Sequence, residues 1–206
     1  MFKKLVFSIL AAMTVIAAGG SAYSVQAAPA TTLLTPTAEE KAGLLYMFEE
    51  EKLAHDVYDA LYARWNHPIF QNIASSELVH MDAVRSLLLR YGVSVPANPA
   101  GVFNDPTLQA LYNRLISSSS QSLEEALKAG KTIEETDISD LQSHLARTTN
   151  ADIQRVYTNL LNGSSNHLRA FERVLAFPGG NTSPLIGIPA HQDLLARNGN
   201  GYRGGR

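Results

Sequence analysis

Ser75-Ser76-Glu77-Leu78-Val79-His80-Met81-Asp82-Ala83-Val84 reads as the middle of an amphipathic helix. Around it Ile69, Phe70, Ile73, Ala74, Met81, Val84, Leu87 and Leu88 recur three and four residues apart and draw one apolar face. At about 100° per residue Glu77 falls at the centre of that face and His80 on its edge, one turn on. A carboxylate in an apolar stripe is costly unless it is paired or binds a metal. Glu-x-x-His on one face sets a carboxylate oxygen beside an imidazole nitrogen, the arrangement that metal sites in bundle cores need. The tetrapeptide alone is weak, because many helices contain it by chance; its force comes from the other helices.

Working outward, Thr37-Ala38-Glu39-Glu40 fits a capping box. A first helix over about 38–65 follows, with Leu44, Phe48, Ala54, Tyr58, Leu61, Tyr62 and Trp65 facing inward. Glu51 lies at the centre of that face and His55 one turn beyond it, while Glu49 and Glu50 are expected to point away. His67-Pro68 opens the second helix, over about 68–91, closed by Gly92. The Pro- and Gly-rich stretch 93–104 is expected to be loop. A short helix over 107–117 is expected to be broken by Ser117 to Ser120, and the whole stretch reads as a long crossover. Ser122-Leu123-Glu124-Glu125 is a second capping box and starts a helix over 123–146. Its inner face carries Ile133, Ile138, Leu141 and Leu145, with Glu134 central and Asp137 within the face. A last helix over 151–177 presents Ile153, Tyr157, Leu160, Leu161, Leu168, Phe171 and Leu175, and stops at Pro178-Gly179-Gly180.

The last helix partly echoes the opening stretch. Laid over Glu77-Leu78-Val79-His80, the segment Ser164-Ser165-Asn166-His167 puts His167 where His80 stands and Ser164 where Glu77 stands. Glu51, Glu77 with His80, Glu134, and Ser164 with His167 each lie near the middle of a long helix. Helices packed side by side would bring them to one level. The expected fold is therefore all-α, a four-helix bundle of ferritin-like topology with a long crossover that contains a short extra helix. The candidate metal ligands are Glu51, Glu77, His80, Glu134 and His167. Di-metal bundles use one Glu from each of two helices and Glu-x-x-His from each of the other two. Ser164 breaks that pattern, and Asp137 or His55 is the group that could compensate. Tyr58 and Tyr157 are read as core.

Five segments carry a family resemblance: Leu44 to Tyr58, Ala74 to Val84, Gly101-Val102-Phe103, Ile133 to Ile138, and Asn162 to Phe171. They resemble the ferritin-like superfamily, in particular a bacterial and archaeal group of it known only as a domain of unknown function. Glu51 followed by Ala54 and Tyr58 is similar to the first-helix ligand segment of rubrerythrins. The resemblance implies a carboxylate/His di-metal site that handles O2, peroxide or Fe(II), as in rubrerythrins and bacterioferritins. Ser164 departs from it, where a fourth-helix carboxylate is expected.

Composition bounds the rest. The 206 residues suffice for one domain. Lys3-Lys4, the apolar run Leu5 to Ala18 and Val25-Gln26-Ala27 predict an export signal over 1–27, cleaved near Ala27, hence a periplasmic or secreted protein without a stable membrane anchor. Residues 28–37 read as linker, 38–177 as the bundle and 178–206 as a Gly- and Arg-containing flexible tail. Without residues 1–27 the charge is 15 − 19 = −4, since two of the 17 basic residues are Lys3 and Lys4. Nothing there favours nucleic acid. The chain has no Cys, so neither disulfides nor thiolate ligands are available. Carboxylate and imidazole suit iron, as one or two ions, with Mn or Zn as alternatives. A non-catalytic carrier of one metal ion and a metal-free structural bundle are the competing readings, and self-association into a homo-oligomer stays open.

Overall fold

The computed structural model describes residues 35–177. The expected export signal, most of the linker and the tail lie outside them. The described residues form five helices and no strand: α1 Ala38–Trp65, α2 Pro68–Arg90, α3 Pro106–Ser119, α4 Leu123–Leu145 and α5 Ala151–Ala176. None of these helices is long and apolar enough to cross a membrane.

The starts and stops follow local chemistry. Thr37 Oγ1 accepts from the Glu40 amide and Glu40 Oε2 accepts from the Thr37 amide, closing a reciprocal capping box. Asn66 ends α1 in the left-handed region, φ 48°. Pro68 stands in the first turn of α2, and Gly92, φ +66°, follows its end, where a side chain would be strained. Asp105 caps α3 through its Oδ1, which accepts from the Thr107 and Leu108 amides. Ser122 caps α4 and Asn150 caps α5.

Two expectations about boundaries and faces need correction. The serine run does not stop α3 at Ser117; the helix continues to Ser119, whose side chain is buried. Ser118, Ser119 and Ser120 each bond back to a carbonyl three residues earlier, which keeps their hydroxyls satisfied inside the last turn. Glu49 and Glu50 do not point to solvent; each is 3% exposed. Helix α1 is covered on several sides, by α2, α3, α4 and the 93–105 segment, so it has little outer face. Glu49 Oε1 accepts from the Asn104 amide at 2.8 Å, and Oε2 from the Asp105 amide at 2.9 Å. One turn on, Lys52 Nζ donates to Asp56 Oδ2 at 2.5 Å and to the Pro99 carbonyl at 2.9 Å. These side chains strap the long connection to α1.

Helix α1 packs on α2 and α4, and α5 packs on α4 and α2, with α3 lying against α1 and α4. The core falls into two apolar clusters. One gathers Tyr58, Leu61, Phe70, Ile73, Ile133 and Phe171; the other gathers Leu44, Phe48, Val84, Leu88, Leu141 and Tyr157. Each of the four long helices passes from one cluster to the other. Helices α1 and α5 go from the second to the first, and α2 and α4 from the first to the second. So α1 and α5 run one way and α2 and α4 the other. Between the clusters lies a layer of buried polar side chains.

Candidate metal centre

That layer is built from helix registers. Glu51 of α1 follows Met47 and Phe48 of one cluster and precedes Ala54 and Tyr58 of the other. Glu77 and His80 of α2, Glu134 and Asp137 of α4, and Ser164 and His167 of α5 occupy the same interval on their helices. All are at most 9% exposed, and Ser164 is fully buried.

Glu77 is the hub. Its Oε2 lies 2.7 Å from His80 Nδ1 and its Oε1 2.8 Å from His167 Nδ1. His80 Nδ1 is also 3.2 Å from Glu51 Oε2, and His167 Nδ1 is 3.5 Å from Glu134 Oε2. The two imidazoles stack with centroids 5.5 Å apart. Two sets of three groups result, Glu51/Glu77/His80 and Glu77/Glu134/His167. Within each set the donor atoms all lie within 4.8 Å of one another. Glu77 belongs to both.

The surroundings hold these groups in place. His167 Nε2 is 3.0 Å from Ser76 Oγ, which leaves Nδ1 facing the carboxylates. Tyr58, fully buried as core, also donates its hydroxyl to Glu134 Oε1 at 2.6 Å. Ser164 donates to Asp137 Oδ2 and to the Leu160 carbonyl. His80 lies against the α5 backbone at Gly163, where a Cβ would come within 2.5 Å of its Nε2.

Charge is out of balance here. Four buried carboxyls, Glu51, Glu77, Glu134 and Asp137, surround two imidazoles, and a fifth, Glu50, is buried beside Asp137. Burial raises Glu51 to about 8, against the pull of His80. Burial and the Glu77 charge raise Glu134. Burial and the Glu51 charge hold Asp137 well above the carboxylate range. Burial acts the same way on Glu77, but His167 and His80 outweigh it and keep Glu77 ionised. Both histidines are shifted the other way. Burial lowers them, yet Glu77 outweighs it and brings His167 to about 10 and His80 well above its usual value.

The buried donors also fit a cation. Glu77 Oε1 and His167 Nδ1 pair at 2.8 Å, but Glu51 Oε1 and Asp137 Oδ1 have no hydrogen-bond partner. Buried polar atoms left that way are expensive. A positive ion between them removes the cost. The oxygen and imidazole set suits iron, manganese or zinc.

Of the sequence-predicted residues, Glu51, Glu77, His80, Glu134 and His167 converge, with Asp137 and Ser164 beside them. His55 does not join them. Its Nδ1 donates to the Ala74 carbonyl at 3.0 Å, and its Nε2 faces Asp59 at 3.4 Å. Sequence reasoning missed Gly163, Ser76 and Glu50. An isolated glycine inside a helical pattern was the available signal for Gly163.

Residues 40–186 match the model of the family described as an uncharacterized protein domain, DUF2202. The chain belongs to the DUF2202 family. The chain is similar to the uncharacterized protein MJ0754 of Methanocaldococcus jannaschii, at 49% identity over 161 residues, covering 77% of this chain and 87% of that one. The crystal structure of hypothetical protein MJ0754 superposes with a TM-score of 0.68 at 48% identity, over 72% of this chain and 86% of that one. A DUF305 fragment from Deinococcus radiodurans is similar in fold alone, with a TM-score of 0.52 at 14% identity, over 68% of this chain and 97% of the fragment.

Proposed function

We propose that this DUF2202 protein is a ferritin-like four-helix bundle whose core binds two divalent ions, iron foremost, and that it reacts Fe(II) with O2 or peroxide. The observation that carries the reading is Glu77. One buried carboxylate sits between two histidines, and each of its oxygens faces a different imidazole. The antiparallel pairing of α1 with α2 and of α4 with α5, joined by one long connection, supports the ferritin-like topology.

Glu51, Glu77 and His80 would hold one ion, and Glu77, Glu134 and His167 the other. Iron there supplies one-electron redox chemistry toward O2 or peroxide. The chain's own residues set the conditions for it. Tyr58 orients Glu134, Ser76 orients His167, and Ser164 orients Asp137 on the side where the helix pattern lacks a carboxylate. The apolar clusters above and below exclude bulk water. Lys3-Lys4 and the apolar run after them support an exported location for this chemistry.

Metal analysis of the purified protein, followed by O2 consumption on addition of Fe(II), tests the reading. Bound iron with turnover supports it. Bound metal without turnover makes the protein a carrier. Absence of metal at every stage makes the layer a closed network of imidazolium and carboxylate ions.

A further inference from the structure

One buried acid takes no part in the two ion sites. Glu50 is 3% exposed, and no donor reaches either of its oxygens. Its neighbours are Asp137 and Asp140 of α4. Asp137 has a bare oxygen of its own, Oδ1, while its other oxygen takes the Ser164 hydroxyl. Asp140 lies one turn further along α4 and is half-buried. It accepts from the Tyr46 hydroxyl at 3.0 Å. Asp140, Tyr46 and Asp105 line an open surface cleft of about 450 Å³ together with Glu39, His144 and Arg147. Acidic side chains therefore lead from the cleft toward the core: Asp140, then Glu50, then Asp137.

We propose that Asp140, Glu50 and Asp137 form a transit site that carries a divalent cation from this cleft to the core carboxylates. The proposal rests on the two-ion reading and adds the route by which the ions arrive. The donors differ along the route in the right order. The three acids of the route offer oxygen only, which suits a hydrated divalent ion and holds it loosely, whereas the core adds two imidazoles and holds it tighter. An ion passing Glu50 meets two carboxyl oxygens that no amide or hydroxyl of the folded chain holds.

Co(II) alone is the probe, because its visible absorption reports ligation without any turnover. Metal-free protein is mixed with Co(II) in a stopped-flow instrument, and both the loading rate and the final number of ions per chain are read. Glu50→Gln keeps the shape and removes the acid that can give up a proton to bind the ion. It should load at least tenfold more slowly and reach the same final number as wild type. Asp140→Asn, at the partly exposed end, should load severalfold more slowly. It carries the test by itself if the buried substitution impairs folding. Loading of both variants at the wild-type rate overturns the proposal. So does a lower final number in Glu50→Gln, which would make Glu50 a ligand of the core. Failure of wild type to take up Co(II) at all removes the two-ion reading and the transit site with it.

Discussion

The Ser164 hydroxyl on α5 donates to Asp137 Oδ2 on α4, both fully out of solvent contact or nearly so. The serine thus stands where the helix pattern calls for a carboxylate, and it holds a carboxylate that comes from the neighbouring helix. Ser164→Ala removes the donor and almost no volume. A partner that orients a ligating group is typically worth tenfold to a hundredfold in metal affinity, so affinity should fall by about that factor. Competition against a chelator of known affinity measures it. An unchanged affinity would take Asp137 out of the centre.

The metal-free protein should lose stability as pH rises from about 6.5 to 8. Glu51 binds its proton up to about 8 in the folded chain, against an ordinary value of 4.5. His167 holds its proton up to about 10, against 6.5. In that window the folded chain binds more protons than the unfolded one, so stability is greatest below the window and falls with rising pH. Glu77 does not oppose this, because its lowered value acts only in acid. With metal bound the same groups are held deprotonated or neutral, and the melting temperature should vary less. Melting curves at half-unit pH steps, with and without metal, check both slopes.

Gly163→Ala should disturb one half of the centre. The new methyl would lie 2.5 Å from His80 Nε2, so the ring must shift relative to Glu51 and Glu77. Overpacking costs about 1–3 kcal/mol, partly offset by the ~1 kcal/mol that Ala gains over Gly in a helix. Metal content should drop from two ions toward one while the His167 side stays filled. Thermal unfolding and the metal-to-protein ratio of the variant are the measurements.

Glu49→Ala separates strapping from metal binding. Its carboxylate takes the Asn104 and Asp105 amides and the Asn98 side chain. Its loss leaves those donors exposed to water or unmet, at roughly 1–3 kcal/mol. Hydrogen exchange at the Asn104 and Asp105 amides should speed up, with metal content unchanged.

Helix-level features were readable in the chain because they follow from one helix at a time. Glu77 and His80 share a face by spacing, and the positions of Glu51, Glu134 and His167 at mid-helix bring them to the same layer. What depends on how helices are rotated against each other was not readable. Glu50 is adjacent to Glu51 and was assigned to solvent, yet α4 and its aspartates cover it. His55 has the spacing of a ligand from Glu51 but turns to the Ala74 carbonyl, because the α2 backbone lies on that side. The Ser164–Asp137 bond and the approach of His80 to Gly163 need two helices in place at once.

Anaerobic titration of the metal-free protein with Fe(II), read as ions bound per chain, tests the central claim most directly, with Glu77→Ala alongside. Glu77 is shared by both sets of ligands, so wild type should bind two ions and Glu77→Ala well under half as many. Wild type that binds no Fe(II) above background, or a Glu77→Ala variant that binds as much as wild type, would contradict it.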